Sequence, residues 1–135
     1  MQISEVMSTD VITVQANHPI RKVAQLMRDN DIGAVPVYEG SNPKGFVTDR
    51  DIVLACADEN VTLEDQISTA MTPNLVTIDA NQEVTEAARI MEEKQISRLL
   101  VVDGTKAIGI VSLSDLLGSL ENTHLKAEIV EEIKQ

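Results

Sequence analysis

The 135-residue chain carries a formal net charge of −11, with 43% hydrophobic and only 1% aromatic residues, so its core must be built from Val, Ile, Leu, Ala and Met. That acidity opposes nucleic acid as a partner, because such binding is driven by Lys and Arg releasing counterions from phosphates. No apolar run approaches the roughly 20 residues of a membrane helix, and Met1-Gln2-Ile3-Ser4-Glu5 has neither the basic nor the apolar region of a secretory signal; a cytoplasmic protein with no membrane partner is expected.

A shift that lays Met7 on Met71 brings Thr13 onto Thr77, Ala16-Asn17 onto Ala80-Asn81, Met27 onto Met91, Gly45 onto Gly109 and Asp51 onto Asp115, without a gap. Two copies are too few for an open solenoid, so they are expected to pack about a pseudo-twofold axis. The expected divisions are residues 1–60 for repeat one, 61–70 for a connector, 71–120 for repeat two and 121–135 for a polar helical tail.

Taken in chain order, each copy opens with a short apolar segment, Val11 to Val14 and Leu75 to Ile78, that predicts a strand. Asn17 and Asn81 follow as expected caps of the next helix. Those helices show apolar faces at i, i+3, i+4, i+7 spacing: Ile20, Val23, Ala24, Met27, and Val84, Ala87, Ala88, Met91. Two β-rich runs come next, Ala34 to Tyr38 and Gly45 to Thr48 about the turn Gly40-Ser41-Asn42-Pro43, then Arg98 to Asp103 and Ala107 to Ser112 about Gly104, each predicting a hairpin. A last helix is expected from Asp49 to Ala57 and from Leu113 to Leu120.

The order is therefore β-α-β-β-α twice, an α/β (α+β) fold. Cys56 lies in the apolar stretch Ile52 to Ala57 and reads as a small buried hydrophobe. The pattern Thr62-Leu63-Glu64-Asp65 predicts a helix start inside the connector. In the tail, Leu125, Ile129, Val130 and Ile133 fall on one helical stripe.

Chemistry concentrates at Gly45-Phe46-Val47-Thr48-Asp49-Arg50-Asp51 and its counterpart Gly109-Ile110-Val111-Ser112-Leu113-Ser114-Asp115. In both, a strand ends on a hydroxyl residue and a carboxylate follows three positions later. One use is helix capping, with Thr48 or Ser112 accepting from the N–H groups of the first turn. The other is a ligand site, in which the hydroxyl and open N–H groups receive a phosphate and the carboxylate accepts from ribose hydroxyls.

The tandem repeat, the Gly-hydrophobic-hydrophobic-Thr/Ser-x-x-Asp motif and the strand Ile32-Gly33-Ala34-Val35-Pro36-Val37 together resemble a pair of cystathionine-β-synthase (CBS) domains, from about Met7 to Leu120. The resemblance implies a regulatory module that commonly forms homodimers, binds AMP, ADP, ATP or S-adenosylmethionine, and signals to a partner protein. It implies that Asp51 and Asp115 hold ribose, and that Thr48 and Asp49 in one copy, Ser112 and Ser114 in the other, line the site. Arg50 and Arg98 become phosphate partners, their alternative being solvated surface charge. The adenine walls are expected from Val11, Ile12, Ile32, Gly33 and Pro36, and from Leu75, Val76, Ile96 and Ser97.

Leu100 stands where the first copy has Pro36, which predicts unequal sites. The negative balance disfavours a triphosphate, leaving S-adenosylmethionine a candidate. His18, beside Pro19, and His124, in the tail, have no nucleophile or metal-ligand partner at a useful spacing. No catalytic or metal role is therefore expected. The competing reading is a ligand-independent dimerisation or protein-interaction scaffold.

Overall fold

The computed structural model describes residues 1–118. The expected tail 121–135 and its apolar stripe lie outside the described residues. The chain divides into two compact units. One is continuous, Ile12–Leu75; the other is split, Met1–Val11 joined by the chain from Val76 on. These units cut the chain differently from the divisions at 60 and 71.

In the continuous unit, β1 (Val14–Gln15), α1 (Ile20–Asn30), β2 (Ala34–Glu39), β3 (Asn42–Thr48), α2 (Asp49–Ala57) and β4 (Thr72–Pro73) follow in order. The sheet order is β1-β2-β3-β4, parallel at β1–β2 and antiparallel beyond. Alternation along β2 turns Val35 and Val37 onto the inner face of α1, where they meet Val14, Ile20, Val23, Met27, Val47 and Ile67. The split unit repeats the plan with β5 (Thr77–Asp79), α3 (Val84–Lys94), β6 (Arg98–Asp103), β7 (Lys106–Ser112) and α4 (Leu113–Gly118), its sheet ordered β5-β6-β7. Its core gathers Ile3, Ile78, Val84, Ala87, Ala88, Met91, Leu99, Val101, Val111 and Leu116. Both units are thus mixed α+β, each with one small sheet.

The segment expected as a connector is part of a core. Ile67 is fully buried in the continuous unit, and its N–H donates to the His18 carbonyl at 2.7 Å while that of Ser68 donates to Ala16 at 3.2 Å. Ile3, one repeat earlier, is fully buried in the split unit, with Ile3 N–H to Gln82 at 2.9 Å and Ser4 N–H to Ala80 at 3.0 Å. Each core is therefore completed by a segment whose sequence equivalent serves the other. The approach is close enough to require glycine: a Cβ on Gly45 would stand 2.3 Å from the Thr72 carbonyl oxygen, and one on Gly109 2.6 Å from the Met7 sulfur.

The same segments cap the helices. Pro19 and Glu83 occupy the N-cap positions and neither side chain caps, so Asn17 and Asn81 do not have the expected role. Ile20 and Arg21 donate instead to the carbonyls of Asp65 and Leu63, both at 2.9 Å, and Val84 donates to that of Met1 at 3.0 Å. An acceptor from the adjoining chain satisfies an N-terminal N–H as well as a side chain does. Thr62 to Asp65 forms a turn rather than a helix start, closed by the Thr62 N–H on Asp65 Oδ2 at 2.9 Å.

Three further expectations are corrected. The opening strands are shorter than the apolar runs that predicted them, and Asn42-Pro43 belongs to β3, leaving Gly40-Ser41 as the turn, with Gly40 at φ 63°. Cys56 is exposed. No residue of α2 is fully buried; Ile52 and Ala55 lean on the core while Val53 and Leu54 are 65% and 57% exposed. An apolar run on a helix covers more than the one face that a single core can bury.

Truncating the exchanged segments tests this account. Ile67→Ala and Ile3→Ala should each cost about 2–5 kcal/mol, the range for a large apolar side chain removed from a packed core. Urea unfolding would measure it. A loss under 1 kcal/mol is expected if residues 61–70 merely connect.

Candidate functional site

The two motifs are built alike from the backbone up. Strand β3 delivers Thr48 to the start of α2, where the Asp51 N–H donates to Thr48 Oγ1 at 3.2 Å and the Thr48 N–H donates to Asp51 Oδ2 at 2.9 Å. Strand β7 delivers Ser112 likewise: the Asp115 N–H donates to Ser112 Oγ at 3.1 Å, and the Ser112 N–H donates to Asp115 Oδ2 at 3.0 Å. Both are reciprocal capping boxes, so the capping use of the motif is realised in each copy. In the continuous unit, Asp51 Oδ1 keeps no partner among the described residues.

Around the second box a cavity of about 340 Å3 opens in the split unit, lined by Ser97, Arg98, Ser112, Leu113, Ser114 and Leu117. The antiparallel ladder sets Arg98 directly opposite Ser112, so their side chains share a face. The Ser112 and Ser114 hydroxyls lie 3.0 Å apart, and the Leu113 N–H donates to the Ser97 carbonyl at 2.9 Å, drawing the start of α4 to the start of β6. Arg98 is half-buried, and its guanidinium has no hydrogen-bond or ion-pair partner among the described residues. A planar cation beside two hydroxyls on an apolar floor of Leu113 and Leu117 can hold an anionic or hydroxyl-rich group on a flat body.

Four residues expected in the second site, Ser97, Arg98, Ser112 and Ser114, are therefore together on one cavity. Leu75, Val76 and Ile96 are half-buried outside its lining; Val76 and Ile96 pack against the core of the split unit. Leu113 and Leu117 were missed as lining residues, although their i, i+4 spacing beside Ser114 was a legible signal. In the continuous unit, the Asp49 N–H donates to the Gly33 carbonyl at 3.1 Å and Ala34 pairs with Thr48, gathering Gly33, Thr48, Asp49 and Asp51. Arg50 is exposed beside them. Pro36 is buried within β2, Ile32 packs against the core, and Val11 and Ile12 are half-buried ahead of β1.

The change from Pro36 to Leu100 has a local consequence. Leu100 possesses an N–H and donates it to the Val76 carbonyl at 3.0 Å, so β5 starts pairing at Thr77 with Leu100, whereas β1 starts at Val14 with Val37. Proline has no hydrogen to offer the equivalent Ile12 carbonyl.

Among the described residues, no three His, Cys, Asp or Glu side chains gather as metal ligands, and no helix is long and apolar enough to cross a membrane. Comparison with known proteins yields two matches to the CBS domain model, over residues 3–58 and 65–122. The chain belongs to the CBS-domain family. It is a tandem CBS pair, and these matches begin at the exchanged segments. It is 37% identical over 114 residues to the CBS domain-containing protein YhcV of Bacillus subtilis, covering 84% of this chain and 81% of that one.

Among solved structures, an uncharacterised conserved protein from Pyrococcus horikoshii superposes with a TM-score of 0.73 at 28% identity, covering 90% of this chain and 92% of that one. The CBS pair of protein MJ0100, in complex with 5′-methylthioadenosine and S-adenosyl-L-methionine, gives a TM-score of 0.70 at 27% identity, covering 86% and 92% of the two chains.

Because the capping boxes carry structural weight, substitutions there have a stability cost separate from any ligand effect. Thr48→Ala and Asp51→Ala should each remove about 1 kcal/mol. Asp51→Asn, which keeps a carbonyl oxygen for the Thr48 N–H, should lose less. Chemical denaturation of the three variants checks the ranking.

Proposed function

We propose that this CBS pair is a cytoplasmic, non-catalytic regulatory module that binds adenosine derivatives and passes the bound state to a partner protein. The observation that carries the reading is the cavity of the split unit, where a guanidinium without a partner among the described residues and two hydroxyls meet over an apolar floor. Its volume of about 340 Å3 is in the range of small-ligand sites. The MJ0100 pair, whose structure holds two adenosine derivatives, supports the same ligand class here. In this reading each unit holds its own ligand: in the continuous unit Asp51 Oδ1 accepts from ribose hydroxyls while Oδ2 keeps the cap, and in the split unit Arg98 with Ser112 and Ser114 receives the 5′ substituent. AMP and S-adenosylmethionine are the leading ligands; ATP brings the most charge to a chain already at −11.

Thermal unfolding with AMP, ADP, ATP, S-adenosylmethionine and 5′-methylthioadenosine tests this, with GMP as control. A ligand present at a hundredfold excess over its Kd should raise the melting temperature by about 5–10 °C. No shift from any adenosine compound, and no heat in calorimetry, would favour a ligand-independent scaffold instead.

The module's partners include a second copy of itself. Helix α2 presents Val53, Leu54 and Cys56 to solvent. Arg50, unpaired among the described residues, lies at its start, and Asp58 and Glu59 are exposed just past its end. An antiparallel second α2 would cover the apolar residues and set each Arg50 against the partner's acidic end. Light scattering should give twice the chain mass, and Val53→Glu with Leu54→Glu should give the monomer, with far-UV circular dichroism unchanged. A wild-type monomer at 100 micromolar, a concentration of about 10⁻⁴ M that already admits weak association, would remove self-pairing through α2.

A further inference from the structure

The two units share their capping boxes but not the residues around them. In the ladder, the position facing the capping hydroxyl is Arg98 opposite Ser112 in the split unit and Ala34 opposite Thr48 in the continuous one. The first residue of the following helix is Leu113 in the split unit, where it lines the cavity, and Asp49 in the continuous one. Both first residues are tied by their N–H to the strand that starts the hairpin, Leu113 to Ser97 and Asp49 to Gly33, so they occupy equivalent places.

The Asp49 carboxylate is turned to that strand. Its Oδ2 would lie 3.5 Å from a Cβ built on Gly33, and its Oδ1 accepts the Arg50 N–H at 2.8 Å, which holds it in place. Where the split unit has one guanidinium and one carboxylate (Arg98, Asp115), the continuous unit has one guanidinium between two carboxylates (Asp49, Arg50, Asp51). Arg50 is exposed, with a carboxylate residue on either side of it in sequence, whereas Arg98 is half-buried on the cavity wall.

We propose that the pair takes two different adenosine derivatives: one bearing a phosphate in the split unit, selected by Arg98, and an uncharged or cationic one in the continuous unit, selected by Asp49. This rests on the reading that each unit holds an adenosine. A phosphate entering the split unit gains a planar, charge-assisted donor pair from Arg98. The same group entering the continuous unit meets Ala34, which donates nothing, and a fixed carboxylate at the place where the split unit has leucine. A 5′ sulfonium is attracted by that carboxylate, and a 5′ thioether is indifferent to it. One chain could thus report on the balance between a nucleotide and a sulfur-containing nucleoside, a signal that neither site supplies alone.

Isothermal titration calorimetry of the full chain with AMP and with 5′-methylthioadenosine, which have the adenosine in common and differ in 5′ charge, separates the possibilities. Wild-type protein should take up one AMP per chain. Arg98→Ala should weaken AMP about 10- to 100-fold, the range for a hydrogen-bonded charge, and leave 5′-methylthioadenosine unchanged. Asp49→Leu, and Asp49→Asn as the variant that keeps the side-chain shape, should raise AMP to two per chain.

Two equal AMP sites in the wild type, no AMP site at all, or AMP binding unmoved by both Arg98→Ala and Asp49→Leu would overturn the inference. In each of these cases binding of 5′-methylthioadenosine would leave the adenosine reading standing. Neither compound binding to protein shown to be folded would overturn that reading and the inference with it.

Discussion

A helix cannot begin in a folded core with its first N–H groups unmet, and the two longest helices among the described residues, α1 and α3, are started by a segment from elsewhere in the sequence. The Asp65 and Leu63 carbonyls receive the first N–H groups of α1, and that of Met1 receives the N–H of Val84. The same segments drive Ile67 and Ile3 into the two cores. One constraint therefore settles helix start, core completion and the division into units together. Neither core can close without a stretch outside its own repeat: Met1–Val11 for the split unit, and the stretch around Ile67, after α2, for the continuous one. Gly45 and Gly109 are part of this constraint, since only a residue without Cβ lets the Met71-Thr72 and Met7-Ser8 backbones lie so close.

The site grows out of the same economy of backbone groups. Thr48 and Ser112 end strands whose partners begin at Ala34 and Arg98, so each capping box stands at the mouth of its hairpin. A carboxylate has two oxygens, and the box uses one. For Asp51 the second is directed to no protein group among the described residues, which makes capping and ligand binding compatible roles for one side chain. The recurrence of the motif in both copies could not separate them, because duplication reproduces caps and sites alike. Only the surroundings distinguish the two.

Much of the architecture was legible in the residues. The uninterrupted self-match, the i, i+3, i+4, i+7 faces of α1 and α3, and the hairpins about Gly40 and Gly104 all correspond to observed elements. Four of the residues expected at the second site line one cavity. The exchange of segments was not legible, because Ile3 and Ile67 stand in polar surroundings and a repeat read in chain order attaches each segment to its nearest neighbour. The Asn17 and Asn81 caps failed for a related reason: residue preference cannot register an acceptor that arrives from another part of the chain. Cys56 was misplaced because the run Ile52 to Ala57 is apolar around the whole helix, and only the position of the core decides which side is covered.

Residues that hold a fold and residues that choose a ligand are subject to different constraints, and a duplicated module makes the difference visible. Thr48 and Asp51, like Ser112 and Asp115, each satisfy a backbone donor, so losing either exposes an unmet group whatever the ligand. Ala34 and Arg98, or Asp49 and Leu113, answer to no such demand: the β-pairing at the first position and the N–H to the strand carbonyl at the second are backbone interactions that any non-proline residue supplies. Leu113 also packs against the core of the split unit, but Arg98 and Asp49 belong to neither core, so their side chains are free to differ without cost to it. It follows that the matched positions of the repeat explain why both units fold, and that the unmatched positions around the same boxes are where discrimination between ligands can reside.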